Sequence, residues 1–220
     1  MRGDVLAMLC AKALGARTVI TPVSSNTVVE ESGYFDRVER TRIGSPFVIK
    51  GMHNALAEGD RSVCGYEANG GFLLASDVQR GGQLLSALPT RDAVLPILAV
   101  LEAARVSSVR ALVSSLPTRV THSDRIPNFS PERRDQLMEW LLDSEGREDR
   151  LDSIFGSIAE SSLSRVDTTD GVRMVFANRR VIHLRGSGNA PELRCYSEAE
   201  ASALARTIGE QALSLVSKRF

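Results

Sequence analysis

The residues with the clearest chemical pattern run from Arg185 to Arg194, directly after the β-type sequence 181–184. Two glycines and a Ser-Gly-Asn turn favour consecutive backbone N–H groups that point into one concavity, an arrangement suited to an anion. The guanidinium of Arg185 offers a planar fork that matches phosphate oxygens. The segment therefore predicts capture of a phosphate carried on a small molecule, by Arg185, Gly186, Ser187, Gly188 and Asn189.

A second glycine-rich segment, 65–71, reads Gly-Tyr-Glu-Ala-Asn-Gly-Gly and follows a β-type run. The carboxylate of Glu67 can accept two hydroxyl protons, and the amide of Asn69 can both donate and accept. Gly70 and Gly71 let the backbone approach a ligand closely. This combination favours binding of a hydroxyl-bearing ligand. Taken without its context, the same segment is compatible with a structural turn and a solvated carboxylate.

The elements around segment 65–71 alternate between strand and helix patterns. Strand patterns cover 18–21, 38–43 and 63–66, and helix patterns cover 4–13, 46–56 and 93–105. Such alternation predicts an α/β domain with a mixed, mainly parallel βαβ sheet. We set the bounds of this domain at 1–116.

The remaining residues, 117–220, predict an α+β domain with an antiparallel sheet and two helices. Ser130 and Pro131 are typical of a helix start, because serine caps and proline fits the first turn. Ser197 and Glu200 have the spacing of a capping box for the last helix. His183 lies in a strand pattern, and we expect its ring to be packed in the protein interior.

The composition excludes several classes of protein. The formal net charge is zero and no basic block is present, so we expect no nucleic-acid surface. No stretch is apolar enough for a membrane span, and we expect no membrane partner. Cys10, Cys64 and Cys195 match neither a zinc spacing nor a small disulfide framework, which predicts a cytoplasmic location.

The two glycine-rich segments, together with segments 21–26 (Thr-Pro-Val-Ser-Ser-Asn) and 42–45 (Arg-Ile-Gly-Ser), occur in the order found in one family. The chain resembles the α-D-phosphohexomutase superfamily, and is most similar to its bacterial phosphomannomutases and phosphoglucomutases. Members of that family have four domains, with a sugar loop in the third and a phosphate loop in the fourth. The resemblance implies that this chain is the C-terminal half, domains three and four. It also implies a sugar site formed by Glu67, Asn69, Gly70, Gly71, Gly44, Ser45 and Ser24.

The family reaction interconverts hexose 6-phosphate and hexose 1-phosphate through a bisphosphate. The resemblance implies that hexose phosphates bind here in two orientations, with Arg185 and its loop holding the phosphate that does not react. It further implies Mg²⁺ in the full-length enzyme, and glucose or mannose 1,6-bisphosphate as activator.

The family's phosphoserine and metal loops belong to domains one and two, and neither pattern occurs in this sequence. We therefore expect no catalytic residue and no metal ligand here, and no activity from this chain alone. Fragments of a phosphoglucomutase or a phosphoglucosamine mutase remain alternatives. A stand-alone, non-catalytic module that binds sugar phosphates is a further alternative.

Overall fold

The computed structural model describes residues 1–188 and 190–220. These residues form two compact units, Met1–Thr118 and Arg119–Phe220. Each unit has its own five-stranded sheet and its own hydrophobic core. Within the described ranges, no helix is both long and apolar enough to cross a membrane.

The first unit is an α/β domain with a mixed sheet in the order β2-β1-β3-β4-β7. The neighbours β2, β1 and β3 are parallel, whereas β4 and β7 are antiparallel additions. A separate hairpin pairs β5 with β6. The strands are β1 Thr18–Pro22, β2 Arg37–Thr41, β3 Val63–Tyr66, β4 Phe72–Leu74, β5 Val78–Arg80, β6 Gln83–Leu85 and β7 Leu88–Asp92. The helices are α1 Gly3–Ala13, α2 Val28–Glu31, α3 Ser45–Ala57, α4 Leu95–Ala103 and α5 Val109–Ser114, with a 3₁₀ turn at Ala104–Val106.

The sheet of the first unit is covered by helices on both faces. Val19 of β1 packs into the cluster that contains the buried residues of α1 and α4. The next residue, Ile20, packs into the cluster formed with Val48 and Met52 of α3. Because successive side chains of a strand point to opposite faces, this alternation produces three layers, α/β/α.

The second unit is an α+β domain whose sheet, β8-β12-β11-β10-β9, is antiparallel throughout. Its strands are β8 Val120–Pro127, β9 Leu163–Asp167, β10 Val172–Phe176, β11 Val181–Gly186 and β12 Glu192–Ala199. Its helices are α6 Pro131–Leu142, α7 Arg147–Ala159 and α8 Ser202–Arg219. The predicted fold class is confirmed for both units, but the second unit has three helices in its described part where the sequence predicted two.

The additional helix, α7, buries Leu151, Phe155 and Ala159 in the core of the second unit. These residues are four positions apart and therefore share one face of the helix. The first turn is polar, Arg-Glu-Asp-Arg, so the apolar face begins only at Leu151 and the helix was not predicted from the sequence.

The capping box expected at Ser197 and Glu200 is wrong. Ser197 lies inside β12, and its hydroxyl donates to the carbonyl of Ala205 at 2.6 Å. Glu200 instead pairs with Arg180 at 2.8 Å, and α8 begins at Ser202 without a side-chain cap. The strand pairing of β12 extends through Ala199 and so moves the start of the helix towards the C-terminus.

Candidate functional site

The loops that carry the candidate residues of the first unit follow three neighbouring parallel strands. Pro22, the last residue of β1, lies opposite Thr41, the last residue of β2. Because β1, β2 and β3 run in the same direction, the loops that follow them leave from one edge of the sheet. Ligands of open α/β sheets bind at this carboxyl edge. The three loops bring Ser24, Gly44, Ser45, Glu67, Asn69, Gly70 and Gly71 to that edge.

The loop after β3 is a closed turn held by its own hydrogen bonds. The backbone N–H of Glu67 donates to the Gly71 carbonyl at 3.0 Å, and the Gly70 N–H donates to the Glu67 carbonyl at 2.9 Å. The Asn69 side-chain oxygen accepts from the Gly71 N–H at 2.9 Å. Part of the hydrogen-bonding capacity of Asn69 is therefore used to shape the loop.

The Glu67 side chain is buried next to an arginine that sequence reasoning missed. Glu67 is 8% exposed, and its Oε2 lies 3.1 Å from Nε of Arg91, on β7. In the described part of the chain, this buried oxygen accepts no hydrogen bond. Since buried polar atoms are nearly always satisfied, Oε2 can accept a hydrogen bond from a ligand hydroxyl.

Gly71 lies at the centre of this cluster. A Cβ at position 71 would come within 3.1 Å of Arg91 Nε and 3.2 Å of Asn69 Oδ1. A larger residue would therefore crowd both groups and the carboxylate of Glu67, 3.6 Å away. The glycine therefore avoids crowding within this cluster.

The start of α1 supports two of the three loops. A Cβ at Gly3 would overlap the backbone of Gly70, so the helix and the loop after β3 are in direct contact. Asp4 is buried in the first turn, where its Oδ2 accepts from the backbone N–H of Asn26 at 3.0 Å. Asp4 thus lies inside the helix, with Arg2 at the N-cap, and binds the loop after β1.

Arg40 on β2 fixes the loop that contains Ser24. Its guanidinium donates to the carbonyls of Pro22 and Ser25, at 3.0 and 2.6 Å. Ser24 itself is half-buried in the turn. Gly44, with φ at +134°, precedes Ser45, the half-buried first residue of α3. These contacts give the carboxyl edge a defined shape.

The candidate phosphate residues Arg185 and Gly186 end β11 in the second unit, and Ser187 and Gly188 follow that strand. Arg185 lies opposite Arg194 in the β11–β12 hairpin. The Ser187 N–H donates to the Glu192 carbonyl at 3.0 Å, so this amide belongs to the hairpin and not to an anion nest. Gly188 is exposed with open space around it, and Asn189 lies outside the described residues.

The Arg185 guanidinium is held from one side. Its Nε lies 2.8 Å from Oδ1 of Asp170, and the two side chains are 17% and 8% exposed. In the described part of the chain, the buried Nε makes this ion pair without a hydrogen bond, and no hydrogen bond joins the guanidinium to another described residue. The outer edge of this guanidinium is therefore available for a bidentate contact with phosphate oxygens.

Further arginines lie near the hairpin. Glu192 is buried and accepts from Arg194 Nε and from Arg125 Nη1, each at 2.8 Å. The hydrogen bond from Arg194, with the nearby charge of Arg125, lowers the pKa of the Glu192 carboxyl. The guanidiniums of Arg125 and Arg194 line a shallow depression of about 290 Å³. Two guanidiniums therefore share this part of the surface with two carboxylates, those of Glu192 and of Asp124, which also lines the depression.

Arg134, on α6, lies across Gly186. A Cβ at Gly186 would come 2.6 Å from Arg134 Cδ, so the arginine stem packs against the start of the hairpin turn. Sequence reasoning did not predict the contacts of Arg134, Arg91, Arg40 and Asp170, because each is brought to its loop by tertiary structure and not by local sequence.

Comparisons with known proteins agree with this architecture. Residues 2–120 match the family described as phosphoglucomutase/phosphomannomutase, alpha/beta/alpha domain III. The whole chain is 42% identical over 220 residues to a phosphomannomutase from Salmonella muenchen, of which it covers 45%. It is 41% identical over 218 residues (98% of this chain) to a phosphomannomutase from Sinorhizobium fredii, again covering 45% of that protein.

Solved structures with the same fold include a phosphoglucomutase/phosphomannomutase family protein from Burkholderia thailandensis. That structure has a TM-score of 0.65 and 17% identity, over 99% of this chain and 42% of that one. An N-acetylphosphoglucosamine mutase variant from Aspergillus fumigatus, in complex with glucose 1,6-bisphosphate, has a TM-score of 0.67 and 14% identity, over 99% of this chain and 43% of that one.

These matches define an α-D-phosphohexomutase fold. The chain belongs to the phosphoglucomutase/phosphomannomutase family. It spans less than half the length of the curated relatives that it matches, and corresponds to their C-terminal half. The resemblance drawn from the ordered motifs is confirmed.

Proposed function

We propose that this chain is the part of a phosphomannomutase-type enzyme that binds the sugar and the non-reacting phosphate of a hexose phosphate. The whole protein interconverts hexose 6-phosphate and hexose 1-phosphate through a bisphosphate. Two relatives that are 42% and 41% identical and are named phosphomannomutase support mannose phosphates as substrates.

The observation that carries the proposal is the state of Arg185. Its Nε forms an ion pair with Asp170, and the guanidinium makes no hydrogen bond to another described residue. A guanidinium held in this way can bind two phosphate oxygens at once. The exposed backbone of Gly188, the side chain of Ser187 and residue Asn189 complete the proposed phosphate contact.

The sugar hydroxyls bind at the carboxyl edge of the first sheet. Glu67 Oε2 supplies a buried acceptor that lacks a hydrogen bond in the described chain, next to Gly71. Hydroxyls 3 and 4 of a hexose keep similar places when the sugar exchanges its two phosphorylated ends, so one acceptor serves both orientations. Asn69, Gly70, Gly44, Ser45 and Ser24 line this edge.

The phosphoryl transfer itself takes place outside this chain. The part of the chain that the structure describes brings together no group of three or more residues able to hold a metal ion. We place the Mg²⁺ ligands and the phosphoserine in domains one and two of the same enzyme.

Glucose or mannose 1,6-bisphosphate acts as activator in this proposal, and the glucose 1,6-bisphosphate in the Aspergillus fumigatus structure supports that choice. Three buried, unbridged cysteines support a cytoplasmic location. Binding energy from the held phosphate positions the reacting end of the substrate, which is how a remote contact contributes to rate.

A coupled assay tests the proposal. The longer reading frame that contains this chain and the 220-residue chain alone are each supplied with mannose, glucose and glucosamine 1-phosphates. We expect mutase activity from the longer protein, with mannose 1-phosphate turned over, and none from the chain alone. A longer protein that is inactive on all three sugars, or a 220-residue product that is complete in the cell, would instead indicate a binding module.

A further inference from the structure

A turn from another part of the second unit lies against Arg185. Residues 168–171 connect β9 to β10. The pairing of Val172 with Leu184 carries this turn to the end of β11. Asp170, 15 positions before Arg185 in sequence, therefore lies 2.8 Å from the Arg185 Nε through its Oδ1.

The residue after Asp170 has to be glycine for this contact to form. Gly171 has φ at +77°, in the left-handed region that side chains rarely adopt. A Cβ at position 171 would also overlap the Leu184 carbonyl oxygen and lie 3.0 Å from the Arg185 Cα. The backbone of the turn thus packs directly on the backbone of the arginine that its carboxylate contacts.

A buried histidine fixes the other side of the turn. His183 precedes Arg185 by two positions, so both side chains lie on the same face of β11. Its Nε2 lies 2.6 Å from the Asp170 carbonyl oxygen, and the ring stacks against Tyr196 with centroids 5.3 Å apart. Burial lowers the pKa of His183 to about 4, so the neutral ring donates through Nε2. Asp170 is therefore held at its backbone by His183 and at its side chain by Arg185.

We propose that Asp170 is a positioning residue, which fixes the Arg185 Nε and thereby aims the two Nη nitrogens at the phosphate. This inference rests on the proposed role of Arg185 as a phosphate ligand. The arginine side chain is long, and ordering it before the ligand arrives removes part of the cost of binding.

The charge of Asp170 makes the proposal sharply testable. A carboxylate next to an anion site repels phosphate, so a role in charge alone predicts that its removal tightens binding. A positioning role predicts that removal of the carboxylate weakens binding, because Arg185 then loses its orientation towards the phosphate. If Asp170 acts on folding alone, its removal should weaken binding by the same factor whether or not Arg185 is present.

The experiment is a double-mutant cycle on the affinity of the 220-residue chain for glucose 1,6-bisphosphate, measured from the amide signal of Gly188. The variants are Asp170→Ala, Arg185→Ala and the two combined. Glu160→Gln is the matched control, since Glu160 is an exposed carboxylate of the same unit that pairs with Arg180 at 2.7 Å. We expect Asp170→Ala to weaken binding about tenfold in the parent chain and less than about twofold in the Arg185→Ala background.

Asp170→Asn provides a conservative variant if Asp170→Ala does not fold. It keeps an acceptor oxygen, so we expect binding between that of the parent and that of Asp170→Ala, together with a shifted and more mobile Nε–Hε signal from Arg185. Equal losses in both backgrounds, tighter binding on loss of the carboxylate, or an unchanged Nε–Hε signal would overturn the inference. Parent-like affinity in Arg185→Ala would instead overturn the proposed function.

Discussion

Glu67 and Arg91 meet at the carboxyl edge of the first sheet, with Oε2 and Nε 3.1 Å apart. The two residues come from different strand ends, β3 and β7, and the arginine is more than half exposed while the carboxylate is buried. An oxygen that is paired with a cation but accepts no hydrogen bond in the described chain can still bind a hydroxyl. In the proposed function, this oxygen of Glu67 is the acceptor for a sugar hydroxyl.

Replacing Glu67 with Gln is expected to weaken the affinity for glucose 1,6-bisphosphate about tenfold, because hydrogen bonds to charged groups contribute about 1.5–3 kcal/mol. Glu58→Gln is the control, since Glu58 is an exposed carboxylate just after α3 that pairs with Arg37. Isothermal titration of both variants measures the effect. Equal affinities for Glu67→Gln and Glu58→Gln would remove Glu67 from the sugar site.

Gly171→Ala is expected to destabilise the second unit by about 1–3 kcal/mol. The new methyl group would overlap the Leu184 carbonyl, and alanine would have to adopt the positive φ of Gly171. Gly188→Ala is the matched variant, because its Cβ would meet nothing within 4 Å. Urea unfolding followed by Trp140, the single tryptophan of the sequence, reports on this unit. Similar midpoints for the two variants would contradict the close packing of the turn.

The stability of the second unit is expected to fall as the pH is lowered from about 6.5 to about 4. His183 is neutral and buried in the fold, with its pKa lowered to about 4, whereas the unfolded chain takes up a proton near the ordinary value of 6.5. Protonation therefore favours the unfolded chain in this range, by roughly 3 kcal/mol once the pH is below both values. His183→Gln, which does not titrate, should flatten the dependence. If the stability of the parent and of His183→Gln changed equally with pH, His183 would be ruled out as the cause of the pH dependence.

Glu198→Ala is expected to cost about 3–5 kcal/mol in the free energy of unfolding. Glu198 accepts from Arg119 Nε at 2.8 Å, and the two side chains are 4% and 2% exposed. Removing the carboxylate takes a buried acceptor and a negative charge away from the Arg119 guanidinium. Glu200→Gln, which breaks a more exposed pair with Arg180, should cost less than about 1 kcal/mol. Urea unfolding measures both free energies. Equal losses for the two variants would contradict the burial of the Arg119–Glu198 pair.

Candidate site residues could be predicted best in short segments whose own residues form a recognisable pattern. The turn at 65–71 and the hairpin at 185–194 could be predicted because glycine, polar and β-type residues occur there in sequence-local patterns. The strand and helix patterns also predicted a mainly parallel sheet in the first unit, and β1 is parallel to both β2 and β3.

Other features depend on contacts between distant residues and could not be predicted. Asp170 reaches Arg185 through the pairing of β10 with β11, and Arg91 reaches Glu67 through the pairing of β4 with β7. Ser197 has the spacing of a helix cap, but cross-strand hydrogen bonding keeps it in β12. Local propensity yields to tertiary pairing at these positions.

The most direct measurement is a titration of the isotope-labelled 220-residue chain with glucose 1,6-bisphosphate, followed at the amide of Gly188. A saturable shift is expected in the parent chain and in Glu160→Gln, whereas Arg185→Ala is expected to need more than about tenfold higher ligand concentrations for the same shift. A parent chain that shows no shift, or an Arg185→Ala variant that shifts like the parent, would contradict the assignment of this hairpin to phosphate binding.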